Sequence, residues 1–332
     1  MWSVVKADAY GHGLHGLLDA FELTDGLALL DVGEAIAVRK LGWKKPILLI
    51  EGFFNFEDLE QLDKYGIETL VHSAWQIEDL KKFKPENKIR VHIKLNSGMN
   101  RLGFLPSQAC AVREELEAIP YVEVVDFVTH FANSEITYPK DGQLPVSGQL
   151  NKLVALRGTD CGKCFSNSGA ILWHPEAADG AVRAGIVLYG VSPDGNKTSE
   201  ELGLTPVMTL RAGILGTQTL CPGDAVGYGS KFVADRPMRI AVLACGYADG
   251  YPRQKVENRY VLIHGKKAPL VGSVSMDMIT VDITNIPEAN PGDWAELWGK
   301  SLPVNEVAAL HGTIGYELLA NLNIRVSRKF LD

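Results

Sequence analysis

Apolar runs typical of β-strands alternate with helical patterns over roughly the first two hundred residues, and this alternation narrows the choice of fold. The candidate strands are Trp2–Lys6, Leu27–Leu30, Ile47–Ile50, Glu68–Val71, Arg90–Leu95, Val122–Thr129, Lys163–Ser166 and Ala181–Arg183. This α/β pattern of eight strands predicts a (β/α)8 barrel of the TIM type. A doubly wound open sheet is the alternative, but no GxGxxG motif follows the first strand.

The pattern changes near Gly203, where short strands broken by Gly, Pro and Asp begin. The strand candidates here are Val207–Leu215, Arg239–Ala244, Arg259–Ile263 and Ile279–Ile283, and one helix is expected near Val304–Leu310. We therefore predict two domains. Residues 1–202 form the barrel, and residues 203–332 form a smaller all-β C-terminal domain.

Composition excludes several classes of function. A net charge of −7, from 33 basic and 40 acidic residues, disfavours a nucleic-acid or anionic-membrane surface. No apolar run approaches the roughly 20 residues of a membrane span, and no signal peptide opens the sequence. Five cysteines, an odd number, favour a reducing cytoplasm. Cys161 and Cys164 form one CxxC pair without a second ligand pair, so we expect packing residues and no metal site, with a redox role as the alternative.

Lys6 ends the first strand within the segment VVKADAYGHG, and a Gly/His turn and a helical pattern follow it. The C-terminal ends of barrel strands carry the active site in this fold class. A lysine there is suited to the covalent attachment of pyridoxal phosphate (PLP). From the pattern alone, an inert solvated lysine is the alternative.

Other polar residues follow later strands and are expected at the same end of the barrel. Lys94 and Arg101 lie in KLNSGMNRLG after the fifth strand, and His130 ends the sixth. Ser168 begins a helix after the seventh strand, where free N–H groups suit a phosphate, and Arg183 closes the eighth. Each of these residues also has an ordinary structural interpretation, such as an ion pair or a satisfied core histidine.

Two turns of the C-terminal region carry further candidates. Tyr247 lies in CGYADGYPR after an apolar strand, and Met276 lies in SVSMDM. A tyrosine acts as a base only when a positive neighbour lowers its pKa from about 10. Each segment, taken by itself, is also explained as a glycine-rich corner or a turn.

Taken together and in order, these segments resemble the motifs of alanine racemases across essentially the whole chain. The segments are VVKADAYGHG, KLNSGMNRLG, THFANSE, SNSGAIL, VRAGIVLYG, VGYGSKF, CGYADGYPR, SVSMDM and GTIGYEL. The resemblance implies a PLP-binding barrel, a C-terminal β domain, alanine as substrate and a homodimer with shared active sites.

The resemblance also implies roles for individual residues. Lys6 would bind PLP and act as one of two bases, and Tyr247 from the partner subunit would be the other. Arg183 would face the pyridine nitrogen, and Arg101 the cofactor phenolate and the substrate carboxylate. Lys94 matches a position that is carbamylated in some members. The remaining implied contacts are those of Tyr10, Ser168, Gly185 and Ile186 with phosphate, of Met276 with the substrate carboxylate, and of His130 with the cofactor ring.

The chain departs from the family pattern at several points. Family members usually have a strand and a helix before the lysine motif, so the resemblance predicts an N-terminally incomplete barrel. Ala184 replaces the proline of the usual VRPGI, and Ile324 stands where many members have a tyrosine that contacts phosphate. The alternatives are a racemase of broader specificity acting on serine or lysine, a non-catalytic PLP-carrier barrel and a PLP decarboxylase.

Overall fold

The computed structural model describes residues 1–136, 140–156, 158–254 and 257–331. Eight parallel strands close into a barrel in sequence order, and β1 pairs with β8. They are β1 Trp2–Val4, β2 Gly26–Leu29, β3 Ile47–Leu49, β4 Glu68–Val71, β5 Ile89–Lys94, β6 Val122–Val128, β7 Gly162–Ser166 and β8 Ala181–Ala184. The predicted barrel and its strands are therefore confirmed.

Helices connect the strands on the outside of the barrel. The α-helices after β1 are Leu14–Leu17, Val32–Lys40, Phe56–Tyr65, Ala74–Lys82, Ala109–Glu117, Val146–Asn151 and Ser168–Trp173. The bounds of Phe56–Tyr65 follow from its caps. The Asn55 side chain accepts a hydrogen bond from the Asp58 N–H at the start, and Gly66, with φ 59°, ends the helix in the left-handed conformation.

An antiparallel six-stranded sheet, in the order β14-β13-β16-β9-β12-β15, forms the second part of the chain, as predicted. Its strands are β9 Leu210–Leu220, β12 Met238–Leu243, β13 Tyr260–Ile263, β14 Lys266–Pro269, β15 Ile279–Asp282 and β16 Trp294–Trp298. Strands β10 Ala225–Val226 and β11 Phe232–Val233 form a separate hairpin. The expected helix Val304–Leu310 is present, and a second helix, Gly315–Ala320, follows it.

The chain forms two compact units, which we call the barrel unit and the sheet unit. The barrel unit comprises Met1–Ala9 and Leu14–Leu188. The sheet unit comprises Tyr10–Gly13 and the chain from Tyr189 onwards. Among the described residues, no helix has both the length and the apolar composition required to cross a membrane.

The barrel interior contains a buried network of charged side chains on neighbouring strands. His92 on β5 is fully buried, and its Nδ1 lies 2.7 Å from an Asp126 oxygen on β6. Its Nε2 lies 2.8 Å from an oxygen of Glu68 on β4, which also contacts Arg90. Burial alone lowers the pKa of His92, but the charges and hydrogen bonds of Asp126 and Glu68 outweigh burial and raise it to about 9.

We predict that His92 stabilises the barrel in its protonated form. Because the pKa is about 9 in the folded chain and about 6.5 in an unfolded one, the added stability is complete below pH 6.5 and is lost as the pH rises through 9. His92→Gln should lower the free energy of unfolding by roughly 3 kcal/mol at pH 6, because Asp126 loses the His92 cation and Glu68 keeps only Arg90.

Urea unfolding of both proteins from pH 6 to pH 10 measures this effect, and the difference between the two curves isolates His92 from other titrating groups. Arg113→Met is the control, since Arg113 pairs with Glu117 and Asp160 at the surface and should contribute less than about 1 kcal/mol. A difference that stays constant across this pH range would contradict the prediction.

Candidate active site

The C-terminal ends of the barrel strands bring most of the expected site residues to one end of the barrel unit. Lys94 is the last residue of β5, and Arg183 lies in β8. Lys6 follows β1 by two residues, His130 follows β6 by two, and Ser168 follows β7 by two. A parallel barrel collects such positions at a single face, so their common location is a consequence of the topology.

The turn after Lys6 has an unusual backbone. Ala7, Asp8, Ala9 and Tyr10 all have φ between 52° and 54°, which is the left-handed helical region. Non-glycine residues adopt that region at a cost of roughly 1–2 kcal/mol each. Such strain persists where the surrounding structure enforces it, and it is concentrated at functional sites.

Specific hydrogen bonds within the barrel unit hold Asp8 and Ala9 of this left-handed turn. The Ala9 N–H donates to the Val5 carbonyl at 2.9 Å. The Asp8 carboxylate accepts the Leu14 N–H at 2.8 Å, and the Asp8 N–H donates to the Glu34 carboxylate at 3.3 Å. The lysine is therefore presented by a fixed turn rather than by a flexible loop.

The pKa values of the Lys6 and Lys94 amines are both lowered, which favours the neutral form of each amine. Burial and the charge of Arg101 lower the pKa of Lys6, against a smaller opposing effect of Glu51. Burial and the charges of Arg183 and Arg101 hold the pKa of Lys94 well below its ordinary value. A neutral amine can attack a carbonyl carbon, bind carbon dioxide or accept a proton, which a charged ammonium cannot do.

Several hydrogen bonds hold Arg183 at this end of the barrel. It is buried, and it donates hydrogen bonds to the carbonyl oxygens of Thr129 at 2.6 Å, Phe165 at 3.4 Å and Cys164. It also donates to His130 Nδ1 at 3.5 Å, so the neutral His130 ring carries its proton on Nε2. Burial and the charge of Arg183 hold the pKa of His130 well below its ordinary value.

Polar groups from two strand ends meet at Ser168. Its hydroxyl oxygen accepts the N–H of Gly185 at 2.9 Å, which leaves the hydroxyl proton available to another acceptor. Ile186 begins the short 3-10 helix Ile186–Tyr189. A small cleft lies at the same end of the barrel and is lined by Lys94, Leu95, Asn96, Ser97, Met99, Arg101, Leu102 and His130.

The sheet unit carries the remaining expected residues. Tyr10 is buried, its ring centre lies 4.9 Å from that of Tyr189, and burial raises its pKa to about 12. Tyr247 is 41% exposed, and the guanidinium carbon of Arg253 lies 5.8 Å from its ring centre. Tyr247 and Met276 lie on adjacent turns, joined by the hydrogen bond from the Ala248 N–H to the Met276 carbonyl.

Tyr228 is a further candidate residue, and the sequence motifs did not predict a role for it. Its side chain is 78% exposed on the turn between β10 and β11. Gly227, Gly229 and Ser230 have φ values of 71°, 71° and 48° around it. A large exposed ring on a strained turn is a candidate functional feature. The glycines of VGYGSKF were the signal that could have identified it.

Comparisons with known proteins agree with this arrangement. Residues 1–193 match the family described as alanine racemase, N-terminal domain, and residues 207–330 match alanine racemase, C-terminal domain. The chain belongs to the alanine racemase family. As an alanine racemase family enzyme it is an isomerase, and the expected family is confirmed.

Individual alanine racemases are similar along nearly their whole length. The enzyme from Erwinia tasmaniensis is 47% identical over 98% of this chain and 90% of its own. A biosynthetic alanine racemase structure from Pseudomonas aeruginosa has a TM-score of 0.94 and 38% identity over 100% of this chain and 92% of its own. The Bartonella henselae alanine racemase structure, described with covalently bound pyridoxal phosphate, has a TM-score of 0.88 and 30% identity over 99% and 92%.

We predict that removing the Cβ of Ala7 stabilises the protein. Ala7 is exposed and left-handed, with φ 54°, so Ala7→Gly should raise the free energy of unfolding by up to about 1 kcal/mol after the greater chain entropy of glycine is counted. Ala37→Gly is the matched control, because Ala37 is a solvent-exposed residue in the middle of the helix Val32–Lys40. Glycine at that position should lower the free energy of unfolding by about 1 kcal/mol. Urea unfolding measures both, and changes of the same sign would contradict the prediction.

Proposed function

We propose that this chain interconverts L-alanine and D-alanine and binds PLP through Lys6. The observation that carries the proposal is the half-buried Lys6 amine, whose pKa is lowered at the functional end of the barrel. The similar alanine racemases from Erwinia tasmaniensis and Pseudomonas aeruginosa support alanine as the substrate. The Bartonella henselae enzyme with covalently bound pyridoxal phosphate supports the cofactor.

The described residues fit the parts of PLP. Arg183 is a fixed cation for the pyridine nitrogen, and a cation there disfavours protonation of that nitrogen. His130, as a neutral ring, can lie beside the cofactor ring without adding charge. The groups proposed to hold the phosphate are the Tyr10 and Ser168 hydroxyls and the N–H groups of Gly185 and Ile186. When bound, PLP withdraws electrons from the substrate and makes the hydrogen on its α-carbon acidic.

Racemisation then needs two bases on opposite faces of the substrate, so that a proton leaves one face and arrives at the other. We assign Lys6 Nζ to one face and the hydroxyl of Tyr247 from the partner subunit to the other. The exposure of Tyr247 supports the second assignment, because 41% of this residue is open to a partner chain. Tyr228 is the competing residue, since it is the more exposed tyrosine of the sheet unit.

Substrate binding would use cations and a backbone group. We propose that Arg101 and Met276 bind the alanine carboxylate. We further propose that Lys94 is carbamylated, since burial and the charges of Arg183 and Arg101 lower the pKa of its amine, and the neutral form of an amine can add carbon dioxide and release a proton. The product is an anion between two arginines, which offsets the excess of positive charge.

The proposal extends to the organisation of the chain. Residues 1–202 would be the PLP-binding domain and residues 203–332 the β domain, since β8 ends at Ala184 and β9 begins at Leu210. Two chains would form a homodimer with two equivalent composite sites. We assign the enzyme to the cytoplasm, because its five free cysteines persist as thiols in a reducing compartment.

Lys6→Ala tests the proposal directly. It should abolish both the visible absorbance of lysine-bound PLP and the interconversion of alanine, because the attachment point and one base are lost together. The exposed lysine variant Lys88→Ala is the control and should retain both. A coupled assay of both enantiomers, with serine and lysine beside alanine, measures activity and specificity. Wild-type protein that binds PLP without racemising any of the three would contradict the proposal.

Subunit mixing tests the second base. Lys6→Ala chains are exchanged with Tyr247→Phe chains and, separately, with Tyr228→Phe chains. If Tyr247 acts across the dimer, each heterodimer of the first mixture has one intact site and one doubly damaged site, so activity returns to roughly a quarter of the wild-type value in a 1:1 mixture. A fully active Tyr247→Phe homodimer, together with an inactive Tyr228→Phe homodimer that regains activity when it is mixed with Lys6→Ala chains, would transfer the role to Tyr228.

A further inference from the structure

The turns that carry Tyr247 and Met276 are joined directly through their backbones. The Tyr247 N–H donates to the Ser275 carbonyl at 3.0 Å, and the Ala248 N–H donates to the Met276 carbonyl at 2.9 Å. Their approach is so close that a Cβ at Gly246 would overlap the Met276 carbonyl oxygen. The two turns therefore pack against each other through their backbones, and a shift of one turn changes the position of the other.

Arg325 spans both turns with one guanidinium group. Its Nε donates to Asp249 Oδ1 at 2.7 Å, and its Nη2 donates to Asp277 Oδ1 at 2.6 Å. Asp249 follows Tyr247 by two residues, and Asp277 follows Met276 directly. The second oxygen of Asp249 accepts the Gly246 N–H at 2.8 Å, so the same carboxylate also closes its own turn.

The chain around Arg325 is itself fixed against the first turn. The Asn323 N–H donates to the Asp249 carbonyl at 3.1 Å, and the Asn323 side chain accepts the Arg325 N–H at 3.0 Å. A Cβ at Gly250 would overlap the carbonyl of Asn321. The guanidinium is therefore attached to a preorganised segment rather than to a free tail.

We propose that Arg325 is a positioning residue that fixes Tyr247 relative to Met276, an inference that rests on the proposed function. Its side chain is 44% exposed, and exposed ion pairs contribute little to global stability. A displacement of about 1 Å in a reacting group can lower a rate by roughly 100-fold. Loss of Arg325 is therefore expected to lower kcat much more than it lowers the unfolding temperature.

Steady-state kinetics of Arg325→Met and Arg325→Lys test the proposal in the PLP-loaded enzyme. Arg236→Met is the matched control, because Arg236 also bridges two aspartates, Asp235 at 3.0 Å and Asp282 at 2.9 Å, and is 52% exposed in the sheet unit. We expect Arg325→Met to lower kcat about tenfold with a smaller rise in KM, and lysine to restore part of the loss. Arg236→Met should leave kcat unchanged, and both Met variants should unfold at similar temperatures.

Hydrogen exchange of the Tyr247 and Ala248 amides gives a second measurement that needs no activity. We expect both amides to exchange faster in Arg325→Met than in Arg236→Met. Unchanged exchange, equal kinetic losses in the two Met variants, or faster exchange with unchanged kinetics would each overturn the proposal. A wild-type enzyme that fails to racemise alanine would instead refute the proposed function, and the exchange measurement would still decide whether Arg325 orders the turns.

Discussion

The hydrogen bonds of Arg183 are the interaction on which the functional end of the barrel depends. Its guanidinium binds carbonyl oxygens at the ends of β6 and β7 from its own position on β8, so one side chain joins three neighbouring strands. The same charge lowers the pKa values of His130 and Lys94. The same arginine therefore fixes the ends of these strands and lowers the pKa values of the site residues, so a change at Arg183 affects both.

A second constraint is the separation of charge along the barrel interior. Leu48, Leu70, Val128 and Cys164 form an apolar cluster whose members come from four different strands, so they meet inside the barrel. His92 lies two residues before Lys94 on β5, and both share one face of the strand. On the neighbouring strands, Leu70 follows Glu68 by two residues and Val128 follows Asp126 by two residues. Apolar side chains therefore come after the two carboxylates in the direction of the barrel end that carries Lys94.

The sequence was sufficient for the barrel because parallel strands are buried on both faces and appear as continuous apolar runs. It also indicated which strand ends carry polar residues, since the topology alone brings Lys6, His130 and Arg183 to one end. Strands β14 and β16 were not predicted, because Lys266–Pro269 and Trp294–Trp298 contain charged residues on partly exposed strands. The Arg325 bridge was not predictable either, as it joins residues 76 and 48 positions apart through side chains alone.

The left-handed turn after Lys6 could not be inferred from local preference, because local preference opposes it. Alanine, aspartate and tyrosine favour right-handed or extended backbone, and four consecutive left-handed residues cost several kcal/mol. Only longer-range contacts, such as that of Asp8 with Glu34, make the turn the stable solution. Relief of the strain should stabilise the chain, but it also increases the number of backbone conformations available beside Lys6. Since the role proposed for Lys6 requires its amine to meet a reacting carbon within a fraction of an ångström, stability and activity are expected to oppose each other at this turn.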